Sequence, residues 1–394
     1  MSLAAIRNDL AALHTADGSA APSWFDARVL FAWRAQCLLL PSRDSQLAHA
    51  AVGFFIGSLH WRALGHLLVA VDRWLPGLKL LPRLRWEGFP AAELFGVEAQ
   101  PQACAVLCGT PGPLRKLTVL HRPPQGEPAV AKLALRVTAD EAIGLEQGWL
   151  EELGVAPELA PFIPRLLRAG ALPGGRRYVT TSVLPTGHAA FRFGGAHRQF
   201  LGELGAHGDV HPWADSAAFE RLRERARAVE PLMDARYRRL IGTAVNDIER
   251  RIGARTLPAC LAHGDFAPWN VRVRDGRLFA FDWEYAQAGA NPLHDFLHFH
   301  LMGRLARHRA VGARAMALVL SRAGQHADAV FGARSGVAQA AGPLALHYLL
   351  EVVTFYVAAS RRLDPRHPVL RAYLGLVEQR GRWLDARPPT GDIA

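Results

Sequence analysis

The run His263-Gly264-Asp265-Phe266-Ala267-Pro268-Trp269-Asn270 is followed twelve residues later by Asp282-Trp283-Glu284, and Asp275-Gly276 lies between them. This arrangement constrains the chain more than any other feature. Asp-Gly between VRVR and RLFAF predicts a tight hairpin, because both turn residues tolerate positive φ. Asp265 and Asn270 are five residues apart, so one turn can aim both at a common point. The hairpin then returns Asp282 toward that loop.

A carboxylate that accepts a hydroxyl proton, an amide oxygen and a second carboxylate are what phosphoryl transfer asks of a protein. The last two would share Mg2+ with nucleotide phosphates, because magnesium takes hard oxygen ligands and keeps its other positions for phosphate and water.

Upstream and downstream of this motif the chain changes texture. Residues 1–95 read as helical, broken at Pro22, Pro41, Pro76, Pro82 and Pro90. From Ala103 to Pro185 short apolar runs alternate with Gly/Pro turns, which predicts a small, mostly antiparallel sheet with one helix at Ala139–Leu153. The remainder reads as chiefly helical, over 219–251, 293–306, 312–323, 336–362 and 368–384. The expected domains are a helical extension at 1–95, a sheet lobe at 96–185 and a helical lobe at 186–394.

The HGDFAPWN…FDWE core resembles the aminoglycoside phosphotransferase and choline kinase-like superfamily, relatives of protein kinases. The resemblance covers roughly Ala103–Leu384. It implies a two-lobed, protein-kinase-like α+β fold, here with the helical N-terminal extension. It further implies transfer of the ATP γ-phosphoryl group to a hydroxyl of a small molecule, with ATP and Mg2+ as cofactors. By this resemblance Asp265 is the catalytic base and Asn270 and Asp282 are the metal ligands. Asp295, in NPLHDFLHF, braces the catalytic loop.

Lys132, in AVAKLAL, takes the place of the strand lysine that holds nucleotide phosphates. It is one of only three lysines, with Lys79 and Lys116. Glu146 best matches its helix partner, ahead of Glu141, Glu151 and Glu152. The turn CGTPGPLRK stands where a glycine-rich phosphate loop belongs, with Gly109 and Gly112 as the residues whose amides can approach phosphate. It departs from GxGxxG. Lys116 could face phosphate or solvent. Thr180–Leu184 is the expected adenine-contacting hinge.

His207-Gly208-Asp209-Val210-His211-Pro212-Trp213 imitates the catalytic loop but has Ala214 where Asn is required, and no hairpin follows. It reads as a loop capping the next helix, the alternative being a lining of the acceptor pocket.

The chain carries 46 basic and 35 acidic residues, a net charge of +11. Aromatic-interleaved basic runs and zinc-finger spacing are missing from the sequence, so nucleic acid is not the expected partner. From residue 301 on there are thirteen arginines against six acids. That favours a neutral or anionic acceptor, such as a sugar, phosphosugar or glycoconjugate precursor, over a polycationic aminoglycoside. The rival readings are an antibiotic kinase on the same scaffold and a nucleotide-binding pseudokinase.

Four scattered cysteines, Cys37, Cys104, Cys108 and Cys260, predict buried thiols rather than disulfides or zinc. The apolar runs of 47–80 are cut by charges and histidines, so a membrane span is not expected. Helices packing on the next domain are the expectation there. The alternative is a surface-lying amphipathic helix, with peripheral membrane contact through residues 1–95. The N-terminus lacks a cleavage-site pattern, and a cytoplasmic location is expected.

Overall fold

The computed structural model describes residues 6, 10, 13, 24–31, 36–56, 59–75, 80–110, 112, 114–183, 188–189 and 191–384. The chain divides into two compact units. Unit 1 is Met1–Thr186 with Phe281–Glu284, and unit 2 is Gly187–Ala280 with Tyr285–Ala394.

Unit 1 is built on an eight-stranded sheet. In chain order its strands are β1 (Trp24–Phe31), β2 (Cys37–Pro41), β3 (Arg83–Glu87), β4 (Cys104–Cys108), β5 (Lys116–His121), β6 (Ala129–Ala134), β7 (Leu166–Ala171) and β8 (Arg177–Ser182). They lie in the order β3-β1-β2-β4-β5-β6-β8-β7, with every pairing antiparallel.

The expectation of a helical segment over residues 1–95 is corrected here. β1, β2 and β3 come from that segment and extend the sheet, with Leu39 of β2 opposite Val106 of β4. Helices α1 (Ser45–Phe55), α2 (Leu59–Trp74) and the short α3 (Ala91–Phe95) accompany them.

The physical reason is alternation. In β2, Cys37 and Leu39 join a core with Val106, Val119 and Leu133, whereas Leu38 and Leu40 join a second core with Leu47, Val52 and Val69. Both faces of the strand are covered, so the strand reads as one apolar run rather than as alternating residues. Each such buried Leu or Val contributes about 1.5–3 kcal/mol.

Helix α4 (Val137–Gly154) follows β6. Its buried residues, Ala139, Ala142, Ile143, Glu146, Leu150 and Leu153, recur at helical spacing, which places Glu146 on the covered face.

Unit 2 holds α5 (Gly195–Ala206), α6 (Ala217–Val229), α7 (Ala235–Ile252), α8 (His294–Ala306), α9 (Ala313–Phe331), α10 (Ala341–Ser360) and α11 (Pro368–Glu378). Two small sheets join them, built from β9 (His188–Ala189), β10 (Gly208–Pro212), β11 (Thr256–Ala262), β12 (Val271–Arg274), β13 (Arg277–Ala280) and β14 (Gln287–Ala290). Helix α10 is the core helix, and it packs against α6, α7 and α11. Among the described residues it is the one helix long and apolar enough to cross a membrane, and 78% of that stretch is buried within the protein.

The predicted hairpin is present. Arg274 pairs with Arg277 across Asp275 and Gly276, both at positive φ (51° and 74°).

The segment around Asp209 is a strand rather than a loop, because β10 pairs along β11, with Asp209 opposite Ala259. The cap of the following helix is Ser216, whose hydroxyl accepts from the Phe219 amide. Asp209 does not cap it. All four cysteines are buried, and none is in a disulfide.

Candidate functional site

In unit 1 a strand, a helix and the segment Phe281–Glu284 deliver one charged cluster. Lys132 projects from β6, and its Nζ donates to both carboxylate oxygens of Glu146 on α4, at 2.5 and 2.8 Å. The same nitrogen donates to Asp282 Oδ1 at 2.7 Å. Glu146 is thus the helix partner, and Glu141, Glu151 and Glu152 are exposed.

Lys116 of β5 donates to Glu284 Oε2 and lies 4.0 Å from Asp282 Oδ1. That places it inward against carboxylates rather than toward solvent. Burial alone would pull the Lys132 pKa down. The carboxylates of Asp282, Glu146 and Glu284 outweigh it and hold the ammonium well above its ordinary value. Glu284 shows the converse: burial and the neighbouring Asp282 charge push it up against the pull of Lys116 and Lys132.

Oxygens of Glu146, Asp282 and Glu284 lie within 4.8 Å of one another, a hard-donor set of the kind magnesium takes. Asp282 sits at φ 77°, a left-handed conformation that costs an aspartate energy and that functional positions retain. Glu284 was not assigned from sequence. The signal that could have found it is its i+2 spacing from Asp282.

Two stretches of unit 1 singled out in the sequence are held by backbone hydrogen bonds. The Gly109 amide donates to the Lys116 carbonyl at 3.0 Å, so it is a rung of the hairpin. A Cβ there would lie 2.9 Å from that carbonyl oxygen, so glycine serves close strand approach. Gly112 accepts from the Arg115 amide at 3.2 Å, and its neighbours Pro111 and Pro113 lie outside the described residues.

In the expected hinge, the amides of Ser182 and Val183 donate to the carbonyls of Arg165 and Pro128. The Thr180 hydroxyl donates to the Leu94 carbonyl at 2.8 Å. These groups are therefore engaged within unit 1, and Leu184 lies outside the described residues.

In unit 2, β11 leads directly into His263-Gly264-Asp265. Gly264 has φ 81°, and a Cβ there would fall 2.0 Å from the Tyr285 carbonyl oxygen, so only glycine fits. Asp295, in the first turn of α8, accepts from the amides of His263 at 2.7 Å and Gly264 at 3.0 Å. This is the bracing role expected of it.

Asp265 is held at both oxygens. Asn270 Nδ2 donates to Oδ2 at 2.7 Å and to the Asp265 backbone carbonyl at 3.0 Å. His298 Nε2 lies 2.9 Å from Oδ1. Behind it, His298 Nδ1 is 3.2 Å from the Tyr348 hydroxyl, which is 3.0 Å from that of Tyr373.

A second buried pair supports the loop. His294 contacts the Gly264 carbonyl at 3.2 Å and Glu351 Oε2 at 3.1 Å. Burial would raise the Glu351 carboxyl, but His347 and His294 bring it down to about 2. Burial would lower His294, but Glu351 and Asp295 hold it above its ordinary value.

His298, His294 and Glu351 escaped the sequence reading. His294 and His298 are at i,i+4 on α8, flanking Asp295, and that spacing is the trace they leave.

No family model matches the chain, and no curated protein matches it in sequence. Among solved structures it is similar to a thermostable mutant of aminoglycoside phosphotransferase APH(4)-Ia in ternary complex with ADP and hygromycin B. The identity is 12% over 73% of this chain and 95% of that one, with a TM-score of 0.48. It is similar also to ADP-bound aminoglycoside phosphotransferase APH(2'')-Ib, at 16% identity over 71% and 92% of the two chains and a TM-score of 0.43. Of this chain's two units, one is an antiparallel sheet with few helices and the other is mostly helical.

Proposed function

We propose that the protein is an ATP- and Mg2+-dependent kinase that phosphorylates a hydroxyl of a small molecule. The observation that carries this reading is Asp265, whose two carboxylate oxygens are fixed by Asn270 and His298 on a loop braced by Asp295. A carboxylate held in one rotamer and still 25% exposed can orient an incoming hydroxyl and take its proton.

Lys132, positioned by Glu146, meets phosphate charge. Asn270 uses its amide nitrogen on Asp265, so its oxygen is the donor for a cation, and Asp282 supplies the carboxylate. Bound Mg2+ would neutralise charge on the phosphoryl oxygens. Gly112 is the remaining glycine of the GTPG turn for the phosphate loop.

The thirteen arginines against six acids from residue 301 onward support a neutral or anionic acceptor, a sugar, phosphosugar or glycoconjugate precursor. A coupled ADP-release screen with sugars, phosphosugars, amino alcohols and aminoglycosides tests the reading. Turnover of a polyol above every aminoglycoside is expected. Preferred turnover of a polycation would overturn the acceptor class. Failure of the chain to bind nucleotide with Mg2+ would overturn the kinase.

A further inference from the structure

We propose that the outward face of α2 is a docking surface for a membrane carrying anionic lipids, a role independent of the kinase reading. Helix α2 packs on unit 1 through Gly65, Val69 and Asp72. A Cβ at Gly65 would lie 3.0 Å from Val52, so the helix approaches α1 closely along that side. On the opposite side the described residues leave large apolar side chains exposed. Leu64, Leu67 and Trp74 recur at i, i+3 and i+10, and Leu75 follows directly after the helix. They are 41%, 58%, 80% and 55% exposed.

From Leu64 to Leu75 is eleven steps of the chain, about 17 Å at helical rise. These four residues form a continuous apolar stripe of the kind that soluble chains rarely leave open. The charged residues of α2 lie off this stripe. Asp72 is buried against Arg28 at 3.1 Å, Arg62 turns back to the Ile56 carbonyl, and Arg73 reaches Ser45.

The border decides the occupant. Over Arg43–Glu87 the sequence has six basic residues and three acids, with Lys79 outside the described residues. Asp72 is neutralised by Arg28, and Asp44 is spent capping α1. Arg83, Arg85 and Glu87 stand on the exposed positions of β3, and Arg85 lies 3.8 Å from Asp26, which leaves Arg83 and Arg43 as the uncommitted charges there among the described residues.

An apolar face with a nearly bare tryptophan and a cationic border is the pattern of a helix lying in a bilayer interface. Each basic residue near an anionic surface strengthens binding by about fivefold. A second copy of the chain, docked by a two-fold axis, would set this cationic border against itself.

The test is co-sedimentation of the full chain with phosphatidylcholine vesicles, with and without phosphatidylglycerol, at low and high salt. Leu67→Ser and Trp74→Ser, singly and together, are compared after circular dichroism shows them folded. Binding to the anionic vesicles at least tenfold tighter than to neutral ones, weakened by salt and lost at least tenfold in the double variant, is expected. Lack of binding to anionic vesicles by the folded wild type would overturn the proposal. So would undiminished binding by the double variant. A wild-type dimer that the substitutions dissociate, without vesicle binding, would assign the face to self-association instead.

Discussion

His298 Nε2 lies 2.9 Å from Asp265 Oδ1, so the proposed base is held from the helix behind it as well as from its own loop. The imidazole is in turn oriented by Tyr348, and Tyr348 by Tyr373. His298 acts through Asp265 and is a positioning residue. A hydrogen bond to a charged group is worth about 1.5–3 kcal/mol. His298→Ala should therefore lower kcat about tenfold to a hundredfold, with acceptor KM and nucleotide affinity near wild type. His298→Asn, which keeps a donor, should recover part of the loss. A change confined to KM, or no rescue by Asn, would mean that the contact only supports folding.

Asp209 offers an internal control for Asp265. Both lie in nearly the same local sequence, but Asp209 is exposed on β10, an edge strand, and has no Asn270 or returning hairpin. Asp265→Asn should cut kcat by about 10²–10⁴, the range of a positioned general base. Asp209→Asn should change it by less than about tenfold. Steady-state kinetics at saturating ATP, on folded variants, decides. Equal losses would place the active site elsewhere.

The Lys132–Glu146 pair should show coupling in stability. Lys132→Met leaves the Glu146 carboxylate, 1% exposed, without its ammonium, and breaking a buried pair costs about 3–5 kcal/mol. Adding Glu146→Gln removes the stranded charge, so the double variant should be more stable than Lys132→Met alone. Thermal melts of wild type, singles and double measure this. Asp282→Ala, by contrast, should abolish the Mg2+ dependence of nucleotide binding in a paired titration with and without the ion.

Stability should fall below neutral pH. Burial holds the pKa values of His197 and His326 down at about 4 and that of His300 at about 3, so the folded chain takes up these protons late. The unfolded chain takes them up near pH 6.5. The stability they confer is therefore present above 6.5 and is lost as pH falls toward 4, by up to about 1.4 kcal/mol per pH unit for each histidine. Glu351, lowered to about 2, adds a loss that begins near pH 4.5. His294, raised, has the opposite sign and its contribution fades as pH rises past 6.5. Melting temperatures from pH 8 to 4 should show this decline, shallower in His326→Gln. A flat profile between pH 6.5 and 5 would contradict it.

Much of the candidate site is local in sequence, and for that reason it was legible. Asp265 and Asn270 share one loop, Asp275-Gly276 dictates its own turn through positive φ, and Glu146 falls on the covered face of α4 by helical spacing. Asp295 came from the family resemblance of NPLHDFLHF, and the structure puts it in the first turn of α8. Gly109 reads two ways in sequence because a hairpin turn and a phosphate loop share the same glycine preference. Only the Lys116 carbonyl, seven residues on, shows where its amide goes.

What the chain determined by itself was the chemistry that depends on short spacing. The contacts that decide how the site is held join residues far apart: Lys132 with Asp282, Lys116 with Glu284, His294 with Glu351 and His298 with Tyr348. No period or motif links such positions, because their separation is set by how the helices and sheets pack. The same is true of β1, β2 and β3. The apolar run of β2 is equally compatible with a buried helix, and only pairing, β2 along β4, β1 along β2 and β3 along β1, together with burial on both faces of β2, makes them strands.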